Sequence, residues 1–334
     1  MKILTSLSSV IIAVIIISSC ASCKSNKKVN TESLDSLAVQ INGPKFNPDS
    51  AFEYCRQQCK FGPRVMNSDT HEKCGVWIAT MFHRFGCKVT EQKTTIKGWD
   101  GKELKCTNII ASYKPEATER ILICAHWDSR PWADNDPDSA NHHKPVMAAN
   151  DGASGVGVML EVARQLQQDK KLNIGVDFVC FDAEDYGTPY WTRDDPNSWA
   201  LGAQYWAEQA RGNYKARFGI LLDMVGGQGA TFYQESMSKK YAQHIVDKVW
   251  HAARIAGFGS MFKQDEGGAI TDDHIPVNQK AGIPTIDIIP YYPDCQQSAF
   301  GPTWHTVSDD MLNLDKNTLE AVGQTVIQTL YSEK

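Results

Sequence analysis

Ile174-Gly175-Val176-Asp177-Phe178-Val179-Cys180-Phe181 leads without a break into Asp182-Ala183-Glu184-Asp185-Tyr186-Gly187. The first eight residues form a predominantly apolar run of the length used by strands buried on both faces. Three acids and a glycine follow where the strand leaves the sheet, the edge at which open α/β sheets keep their sites. Within a strand Glu184 and Asp185 would point to opposite faces. Past its end the chain can aim one at a metal and the other at a substrate. A solvated acidic turn is the commoner fate of such a triplet taken alone, so its meaning depends on the rest of the chain.

Working outward, Ser154 to Leu166 is expected to be helical, with Val156, Met159, Leu160 and Ala163 inward, and Glu119 to Ala125 forms a strand ending at His126. Downstream come helix Trp199 to Ala210, strand Arg217 to Met224, helix Ser238 to Ala256, strand Pro284 to Pro290 and helix Leu314 to Leu330. Nearer the start, Ser50-Ala51-Phe52-Glu53 has capping-box spacing and opens a helix near Asp49. A second helix covers Asp69 to Phe85, and strands Lys88 to Thr95 and Cys106 to Tyr113 flank a turn at Gly98 to Gly101. The pattern predicts an α/β fold: a single domain with a mostly parallel twisted central sheet, helices on both faces and the site at the C-terminal ends of the strands. Arg130 to Ala148 is a long polar insert at that edge, where functional loops lie.

Several expected strand ends carry metal-type ligands: His126 with Asp128, Glu184 with Asp185, and Asp223, with His305 further on. Asp151, just before a helix, adds a fifth point. Imidazole plus carboxylate is what zinc accepts at a catalytic site that keeps a position open for substrate. Any one of these has an ordinary explanation, since a lone Asp before a helix is usually its N-cap. Five together at one edge are hard to explain as caps. The other histidines read differently: His244 and His251 as solvated, His71 and His83 as lacking an acidic partner, and His142 and His143 as insert residues with nothing to support a metal.

Lys2, the apolar run Val10 to Ile17 and Ser18-Ser19-Cys20 form a secretory signal, too short for a membrane-spanning helix of about 20 apolar residues. Residues 1–19 are therefore read as a signal peptide and 20–42 as a tether, leaving 43–334 as the catalytic domain. The net charge of −5 and the absence of basic runs with interleaved aromatics exclude a nucleic-acid groove. Of the ten cysteines, the nine other than Cys20 show no paired CxxC; Cys124 and Cys180, inside apolar strands, are expected to be small buried hydrophobes.

His126-Trp127-Asp128, Asp151-Gly152-Ala153-Ser154-Gly155, Phe181-Asp182-Ala183-Glu184-Asp185, Leu222-Asp223, Asp273-His274-Ile275-Pro276 and Trp304-His305-Thr306 resemble the zinc aminopeptidase-like (M28) superfamily in order and spacing. Within it, His126 to Asp134, Asp272 before Asp273 and Trp304 before His305 look most like glutaminyl cyclases, the bacterial ones closest to the animal type. Cys20 after small residues resembles a lipoprotein acylation site, which implies export to the periplasm or an outer-membrane lipoprotein, with the membrane touched only through lipid.

The cyclase resemblance implies one zinc per chain on Asp151, Asp185 and His305. Glu184 would move protons, Asp223 and Asp272 would be hydrogen-bonded beside the substrate, and Trp304 and Trp191 would wall the pocket. His126 and Asp128 then stand behind the metal. Asp185 occupies a position where animal cyclases carry glutamate. The implied reaction converts the N-terminal glutamine of peptides and proteins to pyroglutamate with release of ammonia, by a monomer. The M28 alternative is a dinuclear aminopeptidase with His126, Asp151, Asp185, Asp223 and His305 on two zincs and Glu184 activating water. A peptide-binding lipoprotein without catalysis ranks third.

Overall fold

The computed structural model describes residues 41–333. The chain begins with α1 (Pro48–Lys60) and α2 (Asp69–Arg84), then the hairpin β1 (Lys88–Lys97) and β2 (Glu103–Tyr113). Next come β3 (Arg120–His126), α3 (Ala153–Asp169), β4 (Gly175–Phe181), α4 (Leu201–Ala210) and β5 (Gly219–Leu222). A small excursion, β6 (Phe232–Gln234), α5 (Ser236–Ile255) and β7 (Phe262–Glu266), precedes the helical turn α6 (His274–Pro276), β8 (Thr285–Ile288) and α7 (Lys316–Ser332). The main sheet has the order β1-β2-β4-β3-β5-β8. β4, β3, β5 and β8 are parallel, and the hairpin adds two antiparallel strands at one edge. The α/β sheet expected from the sequence is present, and all four parallel strands release the chain on the same side.

Side-chain alternation explains why these strands read as continuous apolar runs. Ile123, Phe178, Ile220 and Ile286 face one core with α1, α3, α5 and α7, while Leu122, Cys124, Val179 and Leu221 face a second core with Ala203, Trp206 and Ala207 of α4. With both faces covered, β4, β5 and β8 are buried throughout and β3 is buried from Ile121 on. Asp177, the one charge in the opening stretch, is buried and satisfied: Arg120 grips it bidentately at 2.5 and 2.6 Å, and Tyr214 donates at 2.7 Å. Removing one partner of such a pair leaves an uncompensated buried charge. The Cys124 and Cys180 thiols are buried, and the described cysteines are all free.

Local expectations fail where turn chemistry overrides pattern. The α1 cap is Asn47, whose Oδ1 accepts from Ser50 N at 3.1 Å; Ser50 is inside the helix rather than its cap. α4 starts at Leu201, two residues late, because Trp199 is extended and Ala200 is left-handed with φ 54°. The short parallel pair β6–β7 was not expected: Phe262–Glu266 has one buried residue and no apolar alternation to read. α3 packs so closely that a Cβ at Gly155 would lie 2.2 Å from the Leu222 carbonyl oxygen. Asn42, placed at the end of the tether, is already fastened to α7 through Gln328 at 2.7 Å. The signal peptide, Cys20 and the rest of the tether lie outside the described residues. Among the described residues, no helix is long and apolar enough to cross a membrane.

Candidate active site

The turn after β4 is fixed by its first acid. Asp182 accepts from Ala183 N at 2.9 Å and Thr107 N at 2.6 Å, and pairs with His71 Nε2 at 2.8 Å. His71 therefore has the acidic partner the sequence did not reveal. Ala183 is left-handed, with φ 53°, a conformation that costs energy outside glycine and persists where surroundings impose it. The reversal turns the next two amides onto the Asp128 carboxylate, each at 3.1 Å, so Asp128 holds the backbone of Glu184 and Asp185.

Asp151 is held in the same manner. Asn150 N and Asp151 N donate to the two oxygens of Asp309, at 2.8 and 3.0 Å. The N-cap of α3 is Gly152, with no side-chain cap, so Asp151 is not spent on capping. Asp151, Asp185 and His305 offer buried ligand atoms within 4.8 Å of one another, and His126, Asp151 and Asp223 form a second such group. His305 Nε2 lies 3.2 Å from Asp185 and 3.7 Å from Asp151. His126 Nε2 lies 3.0 Å from Asp151 and 3.1 Å from Asp223. Neither oxygen of buried Asp185 has a hydrogen-bond partner. Asp185 faces His305 and, at 3.6 Å, Arg130, and this donor set suits zinc. Asp272, His274 and Asp287 make a third buried group behind these two.

Asp151, Glu184, Asp223, Asp272 and His305 all face one cavity of about 300 Å³. Burial pushes the Glu184 carboxyl well above the usual carboxylate range; His126 opposes this, while Asp272 and Asp185 add to it. Burial and then the neighbouring Asp272 push Asp223 up to about 7, against the pull of His126. Asp272 is raised too, chiefly by burial, with His274 opposing. The cavity thus gathers three acids whose burial favours their protonated forms.

Its wall is aromatic. Trp304 lines it, together with Phe300 and Trp199. Trp191 does not: it is 40% exposed and packs on His143, Tyr190 and Trp132. The place expected for Trp191 is taken by Trp199, which the sequence reading put in a helix. Asp309 was also missed; four residues beyond His305 in a polar stretch, it carries no mark of burial. A larger cleft of about 640 Å³, over His71 and Trp127, shares no residue with the acid-lined cavity.

The profile of peptidase family M28 matches residues 108–330. The chain belongs to peptidase family M28. Among solved structures of the family's fold, glutaminyl cyclase of Bacteroides thetaiotaomicron, bound to N-acetylhistamine, is 50% identical, with TM-score 0.85 over 88% of this chain and 100% of that one. A Zn-dependent exopeptidase of Parabacteroides distasonis is 49% identical, with TM-score 0.84 over 87% and 99%. Among curated proteins, aminopeptidase YwaD of Bacillus subtilis is 26% identical over 78% of this chain, and glutaminyl-peptide cyclotransferase of Gloydius blomhoffii 25% over 65%. The matches span 52% and 63% of those two curated relatives. M28 relatives and donor set agree on zinc as the metal of this site.

Proposed function

We propose that this M28 protein is a glutaminyl cyclase that closes the N-terminal glutamine of peptides to pyroglutamate and releases ammonia. The observation that carries the reading is that Asp272 lines the same cavity as Asp223 and acts on its charge. Burial and then Asp272 push Asp223 up to about 7, so in the metal-free protein the two acids favour sharing a proton beside the substrate. This reading assigns a single zinc to Asp151, Asp185 and His305 and leaves Asp223 and Asp272 to the substrate. Zinc, when bound, supplies Lewis-acid polarisation of the glutamine side-chain carbonyl.

The remaining work falls to the chain. Glu184, with its raised carboxyl, takes a proton from the attacking α-amine and delivers it to the departing amide nitrogen, which leaves as ammonia. The substrate's own amine is the nucleophile, so the protein supplies none. Trp304, Phe300 and Trp199 make a small apolar wall that folds the glutamine on itself and excludes water. In this reading the protein acts as a monomer. The basic, apolar and small-residue segments ending at Cys20 support export and attachment through lipid on that cysteine.

The grouping of His126, Asp151 and Asp223 favours a second reading, a dinuclear aminopeptidase. Elemental analysis of the purified protein separates them: the cyclase predicts one zinc per chain, and two would support the peptidase.

A further inference from the structure

His305 sits in a conformation that its own residue type does not favour. Its φ is 54°, in the left-handed region, where a side chain persists only if neighbours hold it. The neighbours come from the polar insert. Asn135 N donates to the His305 carbonyl at 3.0 Å, and Asn135 Nδ2 donates to the Trp304 carbonyl at 3.2 Å. Val307 N donates to Asp136 Oδ2 at 3.0 Å. Asp134 Oδ1 lies 3.4 Å from His305 Nδ1, opposite the Nε2 that faces Asp151 and Asp185.

Asp134 is itself fixed by fully buried Arg130, at 2.9 and 2.6 Å. The same guanidinium donates to the carbonyls of Asp185 and Gly187 at 3.0 and 3.1 Å. Trp304 and Trp199 stack on the His305 ring, with centroids 3.8 and 6.0 Å away. One segment therefore touches the turn of His305 and the turn of Asp185 together.

We propose that residues 130–136 are a positioning clamp for the metal site: Asp134 orients His305 through Nδ1, Asn135 and Asp136 hold its strained turn, and Arg130 ties both to Asp185. The clamp rests on the reading of His305 as a zinc ligand. A ligating imidazole whose second nitrogen meets a carboxylate has its tautomer and ring angle fixed, and losing such a partner costs about 10–100-fold in metal affinity. Asp134 touches neither metal nor substrate in this account; it acts through His305.

A double-mutant cycle on zinc affinity, read by competition with a chelator, tests this. Asp134→Asn should weaken zinc by about 10–100-fold in the intact protein and have no further effect in a His305→Ala background. Saturating zinc should return most of kcat to Asp134→Asn. Equal weakening in both backgrounds, or unchanged affinity, would overturn the clamp. If His305→Ala binds zinc as well as the parent, the ligand assignment itself fails and the clamp with it, a separate result in the same cycle. Should Asp134→Asn not fold, Asp136→Ala frees Val307 N and leaves the Arg130–Asp134 pair whole. It should weaken zinc by up to about 10-fold, only while His305 is present; the same loss without His305, or no loss, would count against the proposal.

Discussion

Glu184 is the residue on which the proposed chemistry turns. It belongs to neither group of ligand atoms around His126 and His305, yet it lines the same cavity as Asp151, Asp223 and His305. Glu184→Gln should therefore keep its zinc, by elemental analysis, and lose about 10²–10⁴-fold in kcat, the usual worth of a general acid–base group. A variant with most of its turnover would remove Glu184 from the mechanism. Asp223 makes a different prediction, in the metal-free protein. Its folded pKa, raised to about 7, lies above the unfolded value of about 3.9, so the native state binds the extra proton. The stability tied to that proton is fully present below about pH 4 and is lost as pH rises toward about 7. The melting temperature of metal-free protein should fall across that window more steeply than that of metal-free Asp223→Asn; parallel curves would contradict the assignment.

The elements matter through where they release the chain. β3 ends at His126, β4 just before the Asp182 turn, and β5 just before Asp223, so three neighbouring parallel strands deliver their groups to one edge. α3 brings Asp151 to the same place because Gly155 lets it lie against the Leu222 backbone. Gly155→Ala should destabilise the fold by about 1–3 kcal/mol or more, since the clash is with backbone rather than a flexible side chain, and denaturant melts would measure it. This layer was largely legible in the sequence: apolar runs such as Ile121–Ala125 and Phe178–Phe181, each followed by His or acids, carry both strand and site. What was not legible rests on backbone conformations without a residue signature. Left-handed Ala200 delays α4 and frees Trp199 for the cavity, and left-handed His305 needs the insert to hold it. The His71–Asp182 pair joins residues 111 positions apart, a distance that no local pattern spans.

Across the whole molecule, the ends of the parallel strands and the loop carrying Phe300 and Trp304 surround a small cavity with three acids raised by burial and aromatic walls. That arrangement suits a substrate that carries its own nucleophile. A peptidase would instead need an activated water aimed at the first peptide bond. If the amine attacks, kcat/KM should climb with pH up to about 7.7–8.0, where an α-amine loses its proton, and shift with the amine pKa when the second residue of the substrate is changed. The most direct measurement is the mass spectrum of Gln-X peptides after incubation with the zinc-loaded protein. A cyclase leaves the peptide intact and lighter by one ammonia. Free glutamine and a peptide shortened by one residue would contradict the account and make the protein an aminopeptidase.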